Sequence, residues 1–162
     1  MVKTFQEVKE LHPCFAMGKK SNSGRIHLPV SPGCNIQCRF CDRSINDYEE
    51  RPGVTANVIS PQEAIEVTRR ALALSPEITV AGIAGPGDTL ATHYALDTFA
   101  LIKEEFPQLI KCMSTNGLLL PKYVDEIAEV GVDTLTVTVN SINPEIEAQL
   151  NKGIFYDGRY IE

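Results

Sequence analysis

The chain has 162 residues, 43% of them hydrophobic and 22% charged, which suits one globular core better than two. Its formal net charge of -6 argues against a nucleic-acid partner, because such binding depends on a positive face. The first residues lack a secretory signal, and no apolar run approaches the roughly 20 residues of a membrane span. We therefore expect a cytoplasmic protein without membrane contact.

The amino-terminal part, residues 1–24, is predicted to be an irregular lead-in. Residues 18–24 are polar and flanked by glycines, and they show no apolar period. Within the lead-in, only residues 4–11 favour a short helix. Residues 25–162 are predicted to form one core domain.

Strands and helices are predicted to alternate along this core domain. Apolar alternation and short β-branched runs predict strands at 25–30, 78–83, 109–113 and 132–139. Capping residues, N-terminal prolines and helical apolar spacing predict helices that begin near Pro61, Tyr94, Pro121 and Pro144. Strand, polar loop and helix thus repeat, which implies right-handed βαβ units and a parallel sheet. Functional residues in such sheets lie where strands end and helices begin.

Three of the five cysteines, Cys34, Cys38 and Cys41, lie in one loop after the first predicted strand. This crowding, and the odd total, favour a metal site in a reducing compartment over disulfides. A cubane iron–sulfur cluster normally takes four thiolates, so three leave one iron open. A small molecule with an amine and a carboxylate could chelate that iron and bring a reactive bond beside an electron donor.

A zinc site, or plain buried thiols, is the alternative interpretation of these cysteines. Structural zinc takes four ligands and usually pairs its cysteines at gaps of two to four residues. The fourth ligand would then come from Cys14, His12 or His27. The ligand count and the placement in a single loop favour the cluster.

The string CNIQCRFC at 34–41 resembles the CxxxCxxC motif of radical S-adenosylmethionine (SAM) enzymes, with an aromatic residue, Phe40, before the last cysteine. Further strings resemble, in order, segments of the NifB family, which makes the iron–sulfur–carbide precursor of the nitrogenase cofactor. They are HPC at 12–14, RIH at 25–27, RPGV at 51–54, GIAGPGD at 82–88, STNG at 114–117 and TVTVN at 136–140. The likeness extends from about His12 to Tyr160.

The resemblance implies an α/β fold, a TIM-like radical SAM barrel that normally has six βα units. About four units fit this sequence, so residues 25–162 are expected to be the N-terminal portion of a radical SAM core domain. An uncovered fourth strand would carry an aggregation risk. We therefore expect a fragment of a longer reading frame, or a chain that pairs with itself or with a second polypeptide to complete the barrel.

The resemblance also implies a SAM-binding site. The loop formed by Gly85, Pro86, Gly87 and Asp88 would bind the amino group of SAM, with backbone carbonyls or Asp88 accepting hydrogen bonds. A tight turn after a buried strand is the alternative interpretation of this loop. Polar residues at the ends of the third and fourth strands would contact cofactor or substrate, namely Ser114, Asn116, Thr138 and Asn140.

Cys14 and Cys112 match family positions that hold additional 4Fe-4S substrate clusters. The alternative for each is a small buried hydrophobe. The sequence departs from the family twice: residues 42–50 lack the cysteine that NifB proteins usually carry there, and residues 15–24 lack a histidine. Both departures concern substrate clusters and leave the SAM-cleaving motif intact.

The implied function is a radical SAM enzyme of lyase or transferase type that resembles the nitrogenase cofactor maturase. In that family SAM is cleaved reductively, and a methyl carbon becomes the carbide as two 4Fe-4S clusters fuse. The partners would be SAM, iron–sulfur cluster donors and an electron donor. Two alternatives remain: a radical SAM enzyme with a different substrate, and a non-catalytic iron–sulfur fragment or electron-transfer module.

Overall fold

A computed structural model describes residues 3–15, 23–41 and 57–162. The helices are α1 (Phe5–Leu11), α2 (Pro61–Leu74), α3 (Tyr94–Glu105), α4 (Leu120–Val130) and α5 (Pro144–Leu150), with a 3-10 turn at Pro13–Phe15. The strands are β1 (Gly24–His27), β2 (Ile36–Cys38), β3 (Ile78–Ile83), β4 (Ile110–Thr115), β5 (Thr134–Val137), β6 (Asn151–Tyr156) and β7 (Arg159–Ile161). The RPGV string and the stretch at 42–50 lie outside the described residues.

Four strands form a parallel sheet in the order β1-β3-β4-β5. This arrangement confirms the predicted α/β fold with a parallel sheet, as in part of a radical SAM barrel. Two predicted strands are too long. β1 ends at His27, before Pro29, which has no N–H to donate to a strand ladder. β5 covers only Thr134–Val137 of the predicted 132–139.

One face of the sheet packs against α2, α3 and α4. Ala81 and Ile83 of β3 and Met113 of β4 are fully buried there, together with Phe99 and Ile102 of α3. The first of these helices begins where its sequence predicts. The Ser60 hydroxyl accepts a hydrogen bond from the Glu63 N–H, and the Glu63 carboxylate accepts one from the Ser60 N–H at 2.8 Å.

The opposite face of the sheet is covered in part by α1. Val8 of that helix packs with Val80, Ile110 and Cys112. These strand residues alternate with the ones that face the helices, as side chains along a strand must. The interstrand register places His27, Gly82, Cys112 and Thr134 in one row across this face.

A second sheet, in the order β2-β6-β7, was not predicted. β6 and β7 form an antiparallel hairpin, and β6 pairs with the cysteine-bearing strand β2. The turn consists of Asp157 and Gly158, with φ of 48° and 73°. An Asp-Gly pair between alternating apolar residues is a strong hairpin signal in a sequence.

The fourth parallel strand is exposed, as its position at the edge predicts. Leu135 and Val137 of β5 are 40% and 42% exposed, and Val139 beyond it is 66% exposed. In the part of the chain that the structure describes, β5 pairs with β4 alone. Among the same residues, no helix is both long and apolar enough to cross a membrane.

Candidate cluster and cofactor site

The three thiols of the cysteine loop lie before, at the end of and after a short strand, β2. Cys34 is half-buried just before β2, Cys38 ends β2, and Cys41 lies exposed in the turn that follows. The Cys41 N–H donates to the Cys38 carbonyl at 3.2 Å. None of the three forms a disulfide among the described residues. The hairpin strand β6 fixes the backbone of this loop, because Cys38 pairs with Asn151.

The donor set suits an iron–sulfur cluster, although the thiols do not converge in the structure. Within residues 3–15, 23–41 and 57–162, no three His, Cys, Asp or Glu side chains come together at metal-binding spacing. Three thiols within eight residues, none of them in a disulfide, would nevertheless suffice as the protein ligands of a cubane with one open iron. Metal binding commonly organises its own ligands, so the loop would close around the cluster.

The loop after β3 is fastened to the start of the cysteine loop. The Gly87 N–H donates to the Ser31 carbonyl at 2.7 Å, and the Asp88 N–H donates to the Gly33 carbonyl at 2.8 Å. The backbones approach so closely that a Cβ on Gly87 would overlap the Gly33 carbonyl oxygen. The glycine at 87 therefore permits the contact between the two loops.

Asp88 is only 6% exposed, and its carboxylate is occupied by protein donors. It accepts hydrogen bonds from the Leu90 N–H at 3.0 Å, the Thr115 hydroxyl at 2.9 Å and the Asn116 N–H at 2.6 Å. The family resemblance made Asp88 a possible acceptor for the amino group of SAM. In the structure these contacts make Asp88 a cross-link between the loops that follow β3 and β4.

Asn116 connects this cross-link to the cysteine loop. Its Nδ2 donates to Asn35 Oδ1 at 2.7 Å and lies 4.0 Å from Cys34 Sγ. Sequence reasoning missed both Asn35 and Thr115. The only signal for them was that each is a polar residue at the carboxyl end of a strand or in the cluster loop.

The other predicted cofactor residues lie at the same edge of the sheet. Ser114 is half-buried, and its carbonyl accepts from the Thr89 hydroxyl at 2.8 Å. The Thr138 N–H donates to the Thr115 carbonyl at 2.9 Å, while the side chains of Thr138 and Asn140 are exposed. Phe40 is 63% exposed.

Two clefts flank the cysteine loop. One, of about 500 Å³, is lined in part by Cys34, Asn35 and Tyr123. The other, of about 550 Å³ and mostly apolar, is lined in part by Ile36 and Asn116. Each cleft has the size of a small-molecule site.

A second polar group lies beneath α1, on the face of the sheet that carries Cys112. Cys14 is exposed, with its Sγ 3.5 Å from Arg25 Nη1, and its N–H donates to His12 Nδ1 at 3.3 Å. Burial, and then the Arg25 charge, lower the pKa values of His12 and His27 below the ordinary histidine value. Both imidazoles are therefore favoured in the neutral form, which can bind metal.

Cys112 lies on the same face but is closed off from solvent. It is 3% exposed and packs with Val8, Val80 and Ile110. Its neighbour in the register row, Gly82, lies under the Arg25 guanidinium, since a Cβ there would be 2.6 Å from Arg25 Nε. The two extra cysteines thus share a face of the sheet, with only Cys14 accessible.

Comparison with known proteins identifies the family. A model described as the radical SAM superfamily matches residues 28–160. The chain belongs to the radical SAM superfamily. Among curated relatives of this superfamily member, FeMo cofactor biosynthesis protein NifB of Methanocaldococcus jannaschii is 46% identical over 155 residues, which are 94% of this chain and 52% of the relative.

Two bacterial relatives give the same result. The NifB proteins of Chlorobaculum tepidum and Azotobacter vinelandii are 44% and 42% identical over 90% and 86% of this chain. The aligned parts are 35% and 28% of those proteins. The resemblance to NifB that the sequence strings suggested is thus confirmed, and the chain spans about half the length, or less, of these relatives.

Proposed function

We propose that this chain is the cluster-binding part of a NifB-like radical SAM enzyme. Cys34, Cys38 and Cys41 would hold a 4Fe-4S cluster, and the loops that follow β3 and β4 would hold SAM. The observation that carries the proposal is the contact of Gly87 and Asp88 with the start of the cysteine loop, at the carboxyl ends of the parallel strands. Membership of the superfamily over residues 28–160 supports it.

The contacts at this edge of the sheet indicate which residues would bind which part of SAM. When bound, the cluster supplies the electron for reductive cleavage of SAM. The Asp88 carboxylate is engaged by Leu90, Thr115 and Asn116, so the amino group of SAM would be accepted by backbone carbonyls at 85–87. The exposed polar side chains of Thr138 and Asn140 would contact the rest of SAM or the substrate.

The substrate proposal follows the relatives, which are named FeMo cofactor biosynthesis proteins. The chain would act in a lyase or transferase reaction that fuses iron–sulfur clusters and inserts carbide from SAM. Cys14, which is exposed beside Arg25, would hold a substrate cluster. Cys112 would take part only after the α1 residue Val8 moves aside, because it is buried against that side chain.

The proposed partners are cluster donors, an electron donor and a polypeptide that continues the barrel. The exposed apolar edge formed by Leu135 and Val137 supports the last of these. An unpaired strand edge is a template for adding another strand. The added strands would extend the parallel sheet beyond β5.

Iron loading tests this proposal. After anaerobic reconstitution we expect at least about four irons per chain, with one cubane at the triad. Cys38→Ala should remove that cubane, because two thiolates from one loop no longer anchor it. Arg39→Ala, an exposed change in the same loop that keeps all three thiols, is the matched control and should load normally. An iron content and spectrum unaffected by Cys38→Ala would overturn the assignment.

A further inference from the structure

We propose that Asp88 is a positioning residue that holds the Asn116 amide against the Cys34 sulfur, and that this amide raises the reduction potential of the cluster. The inference rests on the proposed function, because it concerns the cluster that Cys34 would ligate. It assigns to Asp88 and Asn116 a task other than contact with SAM.

The first step is the fixation of Asn116 by Asp88. The carboxylate is buried, and the Leu90 N–H of its own loop holds it at 3.0 Å. Its other oxygen accepts the Asn116 N–H at 2.6 Å. Hydrogen bonds to a charged, buried acceptor are short and strong, so the backbone at 116 is held firmly.

The second step is the orientation of the Asn116 side chain. Its Oδ1 accepts the Leu118 N–H at 2.9 Å, an assignment that the backbone donor fixes because an amide nitrogen could not accept it. The NH2 group is therefore directed to the cysteine loop. One of its hydrogens is taken by Asn35 Oδ1 at 2.7 Å, and Cys34 Sγ lies 4.0 Å from the same nitrogen.

A further amide donor belongs to the residue that follows Cys34. Asn35, which directly follows Cys34, is 7% exposed, and its Nδ2 has no hydrogen-bond partner among the described residues. Buried amide donors are rarely left without an acceptor. Asn116 thus brings an amide donor near Cys34 Sγ, and the unpartnered Asn35 amide is a second donor available to a cluster bound at Cys34.

The chemical consequence concerns a one-electron couple. The oxidised cluster takes one electron from an external one-electron donor, and no bond to the protein forms or breaks. The reduced cluster carries one more negative charge, so N–H donors directed at its sulfurs stabilise it more than the oxidised form. Removal of the Asn116 donor should therefore lower the midpoint potential.

The test is a redox titration of reconstituted holoprotein, followed by electron paramagnetic resonance, with iron content measured on the same samples. At the wild-type midpoint, Asn116→Ala should lower the ratio of reduced to oxidised cluster about tenfold, which is about 59 mV for one electron. The isosteric Asn116→Asp should shift it at least as far in the same direction. In the Asp88→Asn background, which also removes a negative charge, Asn116→Ala should cause a smaller shift than in wild type, because Asn116 is no longer held in place; an equal shift in both backgrounds would overturn the positioning role of Asp88.

Two comparisons separate the possible outcomes. Gln108→Glu makes the same charge change at an exposed residue before β4, at the end of that strand opposite Asn116, and should leave the potential unchanged. Equal potentials in wild type and Asn116→Ala, at equal iron content, would overturn this inference and leave the proposed function intact. A wild-type protein that binds no cluster would overturn the proposed function itself.

Discussion

The loop that carries Cys38 and Cys41 differs sharply from the loops that follow β3 and β4. The cysteine loop has an exposed Cys41 and thiols that do not converge. The other two loops are joined through the buried Asp88. The loops that follow β3 and β4 are thus held by protein contacts alone, whereas the proposed metal ligands would come together only when a cluster binds. Substitutions in those two loops should therefore cost stability, and substitutions of the thiols should cost the cofactor.

Among the substitutions that test this difference between the loops, Gly87→Ala should destabilise the protein most. A Cβ at this position would overlap the Gly33 carbonyl oxygen, so two backbones must separate. We expect the free energy of unfolding, measured in urea without cofactor, to fall by about 3 kcal/mol or more. Gly33→Ala is the matched control, because a Cβ there meets only Thr92 Cγ2 at 3.6 Å. Equal losses in the two variants would show that the loops are not fastened at Gly87.

Asp88→Ala should have the next largest effect. It leaves the Leu90 N–H, the Thr115 hydroxyl and the Asn116 N–H without their acceptor, at a cost of about 2 kcal/mol in unfolding free energy. Cys41→Ser in the exposed loop should change the same quantity by less than about 0.5 kcal/mol. If Cys41→Ser lowered the free energy of unfolding as much as Asp88→Ala, the cysteine loop would not differ in this respect from the loops that follow β3 and β4.

The smallest effect is the pH dependence that His27 contributes. Burial, and then Arg25, lower its pKa in the folded protein, so the unfolded chain binds a proton more readily. The stabilisation is complete above the unfolded value of about 6.5 and declines as the pH falls below it. His27→Gln should flatten this decline in urea unfolding. A decline identical in wild type and His27→Gln would refute the contribution.

Local sequence signals predicted the parallel sheet and most of its helices. These signals act within a few residues along the chain, so their structural effect can be predicted from the sequence. They are the prolines, the capping residue Ser60 and the apolar runs. The partners of Asp88 could not be predicted from the sequence, because Thr115 and Asn116 contact it only when β3 and β4 pair in their observed register. The hairpin was predictable from Asp157-Gly158, but its pairing with β2 is a tertiary contact.

The central claim, that the cysteine loop and the loops beside it form a radical SAM site, is tested most directly by the effect of SAM on the reduced cluster. With SAM at saturating concentration, the electron paramagnetic resonance signal of the reconstituted, reduced protein should change, because the amine and carboxylate of SAM occupy the open iron. Identical spectra with and without SAM would contradict the claim and leave only an iron–sulfur or electron-transfer fragment.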